Sequence, residues 1–456
     1  MKKYIPYFYI ALFLLICLIP SAGLLLGRAE ESAENRTAAK APVLWDEKGV
    51  NLHVLSDAGA WFEDHFAFRN EWVTGYAVLT GKLFGASSQE RVIVGKNGWL
   101  YYKDSLEDFQ RENPMSERQL FDIAHSLAMV QSYAREKGIR FAFTIAPNKN
   151  SLYGGNMPYY YQAFRSEDSE SNLTRLKHYL ELEKVNYIDL YETFQEQEEV
   201  LYHTTDSHWN NKGAALAADR ILCGLEKAHS DYTNAAYETR KDFEGDLAAM
   251  LYPAMLTKPY LGTEEEIYYN PEPQFTYQEE VESNFSPKIY TYSAGEGSLV
   301  MYRDSFGNAL LPFLAEAYES AYFSRALPYH LSDLEEYGAD TLIIERAERF
   351  LPDMAKRAPE MEAPEIEAQE SVFKQDFVRS EIRDLVWNER DSYFQVTGKV
   401  GMERLPVTAR LYIRINGGIC YEAFPVVCED GQEGFSLLIP AEGLRKEGNE
   451  FELYIR

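Results

Sequence analysis

Between residues 140 and 345, short apolar runs alternate with stretches of helical spacing, and that alternation leaves few folds open. Residues 140–145, 186–190, 298–302, 321–324 and 341–345 are rich in branched and aromatic side chains and have the length of strands. Apolar positions recur at helical intervals over 116–137, 170–184, 211–228 and 306–319. Strands interleaved with helices predict an α/β fold, a mostly parallel sheet with helices on both faces. An aromatic helical segment from Trp61 to Arg69 and a short strand at 92–94 precede this unit. Residues 230–297 are acidic, Tyr-rich and weakly periodic, and read as an insertion or lid.

The pattern changes at both ends. Over 358–370, Pro and Glu displace apolar residues, as in an exposed linker. Beyond it, period-two alternation in five short runs predicts a small β-sandwich over 371–456. At the start, Lys2 and Lys3 precede an apolar run from Tyr4 to Leu26. Its length matches a transmembrane helix with its start inside the cytoplasm. A cleaved signal peptide is the alternative, although Leu24-Leu25-Leu26 carries the run past Ser21-Ala22-Gly23. Either reading exports the rest of the chain. The expected organisation is therefore an anchor or signal segment at 1–28, a spacer at 29–48, an α/β domain at 49–357, a linker and a sandwich.

The net charge of −27 excludes the usual nucleic-acid binder, which needs clustered cations to displace counterions, and disfavours adhesion to anionic lipid. The 33 Tyr and 6 Trp suit stacking on sugar rings, and they suit core and strand positions equally. The four cysteines offer no metal spacing. Cys420 and Cys428 end one predicted strand, roughly 25 Å apart and beyond disulfide reach. No metal or cofactor is expected.

Two blocks carry chemistry. Thr205-Asp206-Ser207-His208-Trp209-Asn210 leads into the 211–228 helix, and Tyr302-Arg303-Asp304-Ser305-Phe306-Gly307 joins a strand to a helix. Open α/β sheets place their sites at the carboxyl ends of strands. There Ser305 could act as nucleophile, His208 could take its proton, and Asp206 could hold the imidazole in the useful tautomer.

These blocks resemble the catalytic stretches of the SGNH-like domain in the alginate O-acetylation proteins AlgX and AlgJ and the related DHHW proteins. Gly95-Lys96-Asn97-Gly98-Trp99-Leu100-Tyr101-Tyr102 is similar to the family's Gly-Lys-Asp-Gly-Trp-Leu-Phe stretch. Ala146 to Tyr153 with Met157-Pro158, Asp64-His65-Phe66 with Arg69, and Ile343 to Arg346 with Glu348-Arg349 also resemble family stretches in order. The resemblance implies an SGNH-hydrolase-like sheet with a permuted triad, Asp206 and His208 preceding Ser305. It further implies acetyl transfer to an exported polysaccharide, with acetyl from a membrane-bound O-acyltransferase partner. An acetylesterase with the same triad and a non-catalytic polysaccharide-binding or assembly protein are the alternatives. Arg303 stands where many relatives have Gly, and the sequence after 370 does not resemble the alginate-binding module.

Lys149, Tyr153, Trp209 and Arg303 are the candidates to contact substrate. Each has a plainer reading: Lys149 as a surface charge, Trp209 as packing beneath the loop. Asn210 or Asn211 is a candidate helix cap, and Asp304 a residue that orients its turn. His65 and His203 have no carboxylate at a telling spacing and receive no role.

Overall fold

Successive residues of a strand face opposite sides of a sheet, so strands covered on both sides must be apolar throughout. In Arg140–Ala146 every residue after Arg140 is buried, and Thr341–Ala347 is buried along its whole length. Phe141, Phe143, Val300 and Ile344 join one core with the helices Glu117–Glu136 and Asn172–Leu182. Ala142, Met301, Phe323 and Ile343 join a second core with Asn211–Gly224 and Gly307–Ala317. The computed structural model describes residues 4–25, 39–46, 49–256, 263–279, 281, 284–366, 377–390, 393–441, 444–445 and 448–456, without the side chains of Ser21, Leu24, Leu25, Asp46 and Leu256.

The sheet has seven strands, ordered Tyr187–Ile188, Arg140–Ala146, Thr341–Ala347, Ser298–Tyr302, Ser320–Ser324, Lys288–Tyr292 and Thr276–Tyr277. The first five run parallel and the last two are antiparallel additions. The 230–297 stretch therefore divides. Strands Tyr237–Phe243 and Glu264–Tyr269 form a separate hairpin with helix Asp246–Leu251 between them, whereas the later part extends the main sheet.

The C-terminal region is β-rich. Cys420–Val427 belongs to two ladders, its first half paired with Leu411–Ile415 and its second with Glu433–Pro440. Val396, Leu411, Ile413, Phe435, Leu437 and Leu453 fill the space between. Part of the expected linker is packed rather than free. Met361 and Ala363 are buried, and backbone bonds run from Glu360 to Tyr329 and from Glu422 to Pro364. Apolar residues between the prolines and glutamates make that packing possible; 367–376 lie outside the described residues.

The expected transmembrane helix also needs correction. Ile5–Leu25 is helical, but among the described residues no helix is long and apolar enough to cross a membrane. Most of the expected 29–48 spacer, residues 29–38 with 47 and 48, lies outside the described residues.

Candidate active site

Parallel pairing sets the ends of Ser298–Tyr302 and Thr341–Ala347 side by side, and Asp304 fastens them. Its Oδ1 accepts from Phe306 N at 2.9 Å and its Oδ2 from Ala347 N at 2.7 Å, while its own N–H donates to Glu345 Oε2 at 3.0 Å. Burial, and then the Asp304 charge, push the Glu345 carboxyl well above its ordinary range. Gly307 permits the sharp turn, since a Cβ there would lie 2.6 Å from Arg303 Cβ. Ser305, half-buried, sits at the bend.

The second block forms a loop that closes on itself. Tyr202 bridges Trp209, Asn210 N donates to Leu201 O at 2.9 Å, and Asn210 Oδ1 caps the next helix at Gly213 N. Phe306 joins the two blocks, its ring 4.8 Å from those of both His208 and Trp209. His208 Nδ1 lies 2.7 Å from Asp206 Oδ1, and Nε2 lies 2.8 Å from Ser305 Oγ. With the Nδ1 proton directed at Asp206, Nε2 presents a lone pair to the serine hydroxyl.

Burial opposes the Asp206 charge, but His208 and the Asp246 N–H outweigh it and hold the carboxyl below its ordinary range. Burial likewise opposes a charged His208. The Asp206 charge and hydrogen bond, helped by Asp246, win and raise it, against a smaller opposing effect of Arg349.

Residues from the stretch read as a lid grip this loop. Glu264 accepts from the N–H and hydroxyl of both Thr204 and Thr205, at 2.6–3.0 Å. Glu266 accepts from Asn211 N at 3.1 Å and pairs with His203 Nε2 at 2.9 Å. Asp246 accepts from Ser207 N and Ser207 Oγ at 2.8 and 2.7 Å. Helix Asp246–Leu251 comes this close because residue 245 is glycine; a Cβ there would lie 2.3 Å from Thr205 O. The one local signal was Glu264-x-Glu266, two carboxylates on one face of a strand.

Of the substrate-contact candidates, three are buried and engaged inside the protein. Lys149 Nζ donates to the carbonyls of Leu100, Thr204 and Asp206 at 2.7–2.9 Å, so it supports the loop from beneath; burial lowers its pKa to about 7. Arg303 is 1% exposed, donates to Asn284 O and Ser286 O at 3.0 and 3.2 Å, and is lowered to about 10, chiefly by burial. Trp209, 2% exposed, packs against Phe194, Tyr202 and Phe306. Tyr153 is half-buried, and its hydroxyl accepts from Leu201 N at 2.9 Å. The polar groups of Lys149 and Arg303 and the ring of Trp209 point into the protein, contrary to the expected substrate contact. His203, given no role above, is clasped by Glu264 and Glu266 from far along the chain.

Donor atoms of Asp206, His208 and Asp246 lie within 4.8 Å of one another, as do those of Asp219, Cys223 and His229. In the first group Asp206, His208 Nδ1 and Asp246 already serve hydrogen bonds. Cys223, Cys420 and Cys428 are free thiols.

Residues 92–282 match the family model for the SGNH hydrolase-like domain, acetyltransferase AlgX. Over 279 residues the chain is 26% identical to the probable alginate O-acetylase AlgJ of Pseudomonas syringae pv. tomato, covering 58% of this chain and 60% of that protein. Over these stretches the chain is similar to AlgX/AlgJ-family proteins, and it spans less than two thirds of the AlgJ relative's length. The family match contains Asp206, His208 and Asp246 and ends before Ser305. Among solved structures, Bacillus cereus PatB1 is 15% identical at a TM-score of 0.42, covering 57% of this chain and 97% of its own. A DHHW family protein from Eubacterium siraeum is 17% identical at 0.40, covering 50% and 85%. Scores of that size carry the comparison no further.

Proposed function

We propose that this protein is an AlgX/AlgJ-type extracytoplasmic polysaccharide O-acetyltransferase that works through an acetyl-Ser305 intermediate. The observation that carries the reading is the line Asp206 Oδ1, His208 Nδ1, His208 Nε2, Ser305 Oγ, with gaps of 2.7 and 2.8 Å. In the first half-reaction Nε2 takes the Ser305 proton while Oγ bonds to the acetyl carbon of an ester donor. The donor's C–O bond breaks, and its oxygen leaves with that proton. In the second half, a sugar hydroxyl gives its proton to Nε2, its oxygen takes the acetyl carbon, and Ser305 recovers its proton. Asp206 stays ionised and steadies the imidazolium in both halves. The first N–H groups of helix Gly307–Ala317 have no partner inside the helix and favour negative charge developing beside Ser305.

A membrane-bound O-acyltransferase partner would supply acetyl. The C-terminal β-rich region would hold polymer or partner. A chromogenic acetyl ester offered together with an oligosaccharide tests the reading by mass. An acetylated sugar that disappears with Ser305→Ala supports transfer, and acetate alone means that water is the acceptor. Undiminished transfer by Ser305→Ala sinks the reading.

A further inference from the structure

Asp246 lies outside the Asp206–His208–Ser305 line, yet it touches the loop that carries it at three points. Its backbone N–H donates to Asp206 Oδ2 at 2.7 Å. Its carboxylate oxygens accept from Ser207 N at 2.8 Å and Ser207 Oγ at 2.7 Å. Oδ2 also lies 3.7 Å from His208 Nδ1, and Ser207 Oγ lies 3.2 Å from that nitrogen.

These contacts give the network a direction. Burial, and then the Asp206 charge, push the Asp246 carboxyl up to about 6, so above that pH it is ionised and can only accept; a hydroxyl has one proton, and Ser207 then spends it on Asp246. Ser207 Oγ therefore presents lone pairs to His208 Nδ1, as Asp206 Oδ1 does. Every group facing Nδ1 is an acceptor, so Nδ1 keeps its proton and Nε2 stays bare. The Asp246 N–H meanwhile fixes the second oxygen of Asp206. When His208 becomes a cation, Asp246 is a second anion facing it, with a side chain 37% exposed.

We propose that Asp246 is a positioning residue for acyl transfer, acting through Ser207 and Asp206 to hold His208 with Nδ1 protonated and Nε2 free for Ser305. The proposal rests on the triad reading above. Among the described residues, the other charged groups around this network are Asp206 itself, Lys149 beneath the loop, His203 behind it with Glu264 and Glu266 clasping it, and Arg349 on the Phe306 side.

Asp246→Asn tests it, since the amide keeps an acceptor for Ser207 N but loses the charge and offers Ser207 Oγ a donor. kcat/KM for a chromogenic acetyl ester is expected to fall about tenfold, short of the ~10²–10⁴-fold that a general base contributes. The acid limb of the pH profile is expected to move to lower pH, because His208 loses an anion that favours its charged form. Ser207→Ala, which leaves the charge in place, is expected to lower kcat/KM with little movement of that limb. Asp246→Glu is expected to recover part of the rate and the wild-type limb. Wild-type kcat/KM and an unmoved limb in Asp246→Asn would overturn the proposal. So would a loss of thermal stability alone. A fluorophosphonate probe separates the two readings: labelled wild type with an unchanged Asp246→Asn breaks only this proposal, whereas unlabelled wild type together with a fully active Ser305→Ala breaks the triad reading and this one with it.

Discussion

Two histidines in this molecule have nearly the same surroundings and opposite prospects. His208 faces Asp206 and Asp246 and meets the edge of Phe306. His125, on helix Glu117–Glu136, faces Glu183 and Glu422 and stacks on Phe121. The difference lies in how many nitrogens the carboxylates claim. Glu183 takes His125 Nδ1 at 2.8 Å and Glu422 takes Nε2 at 3.2 Å, leaving 3% of that side chain exposed. With both nitrogens donating, His125 is a buried cation that fastens the α/β domain to the C-terminal β-region. Around His208 both carboxylates lie on the Nδ1 side, so Nε2 is left for Ser305. A histidine between two acids is a rivet or a base according to the nitrogen left over.

Substitution at the two sites should separate these roles. The largest effect is expected at the nucleophile and base: Ser305→Ala or His208→Ala should lower kcat by at least about 10³-fold in an acetyl-ester assay. His125→Gln should leave kcat unchanged. Next comes Asp206→Asn, expected to cost about 10²–10⁴-fold with the fold intact by circular dichroism. Equal losses from His125→Gln and Asp206→Asn would erase the distinction.

Stability should rank the sites in reverse. His125→Gln leaves the partly buried Glu422 without its cationic partner, and a loss of about 1–3 kcal/mol in denaturant unfolding is expected. Burial works against a charged His125, but the Glu183 and Glu422 hydrogen bonds raise its pKa. A raised folded-state value means that the stabilisation is fully present below the unfolded pKa of about 6.5 and is lost as pH rises through the folded value. The melting-temperature gap between wild type and His125→Gln should therefore narrow with rising pH, and a gap that widens would contradict a charged His125. Lys149→Met strands the carbonyls of Leu100, Thr204 and Asp206, at about 1–3 kcal/mol each if water cannot reach them, and should lower both stability and kcat. Trp209→Phe should be mildest, a packing loss seen in melting temperature with KM for the acetyl ester unchanged.

The same contrast separates what was legible in the sequence from what was not. Arg140–Ala146, Ser298–Tyr302 and Thr341–Ala347 were readable because strands buried on both faces are apolar at every position. Asp206-x-His208 was readable because the two residues are close in the chain and precede a helix. Partnerships across the chain were not. Asp246 lies 40 residues from Asp206, and Glu264 59 residues from Thr205. Nothing near His203 in the chain announces Glu264 and Glu266. Lys149 and Arg303 read as candidate ligand contacts in the sequence, while the fold directs their donors to backbone carbonyls inside the protein.

The most direct test is to quench the protein during turnover of an acetyl ester and locate the acetyl group by peptide mass mapping. It is expected on the peptide containing Ser305, absent from Ser305→Ala, and slow to form in His208→Ala. Acetyl carried on another side chain, or full turnover by the Ser305→Ala protein, would contradict the nucleophile assigned here.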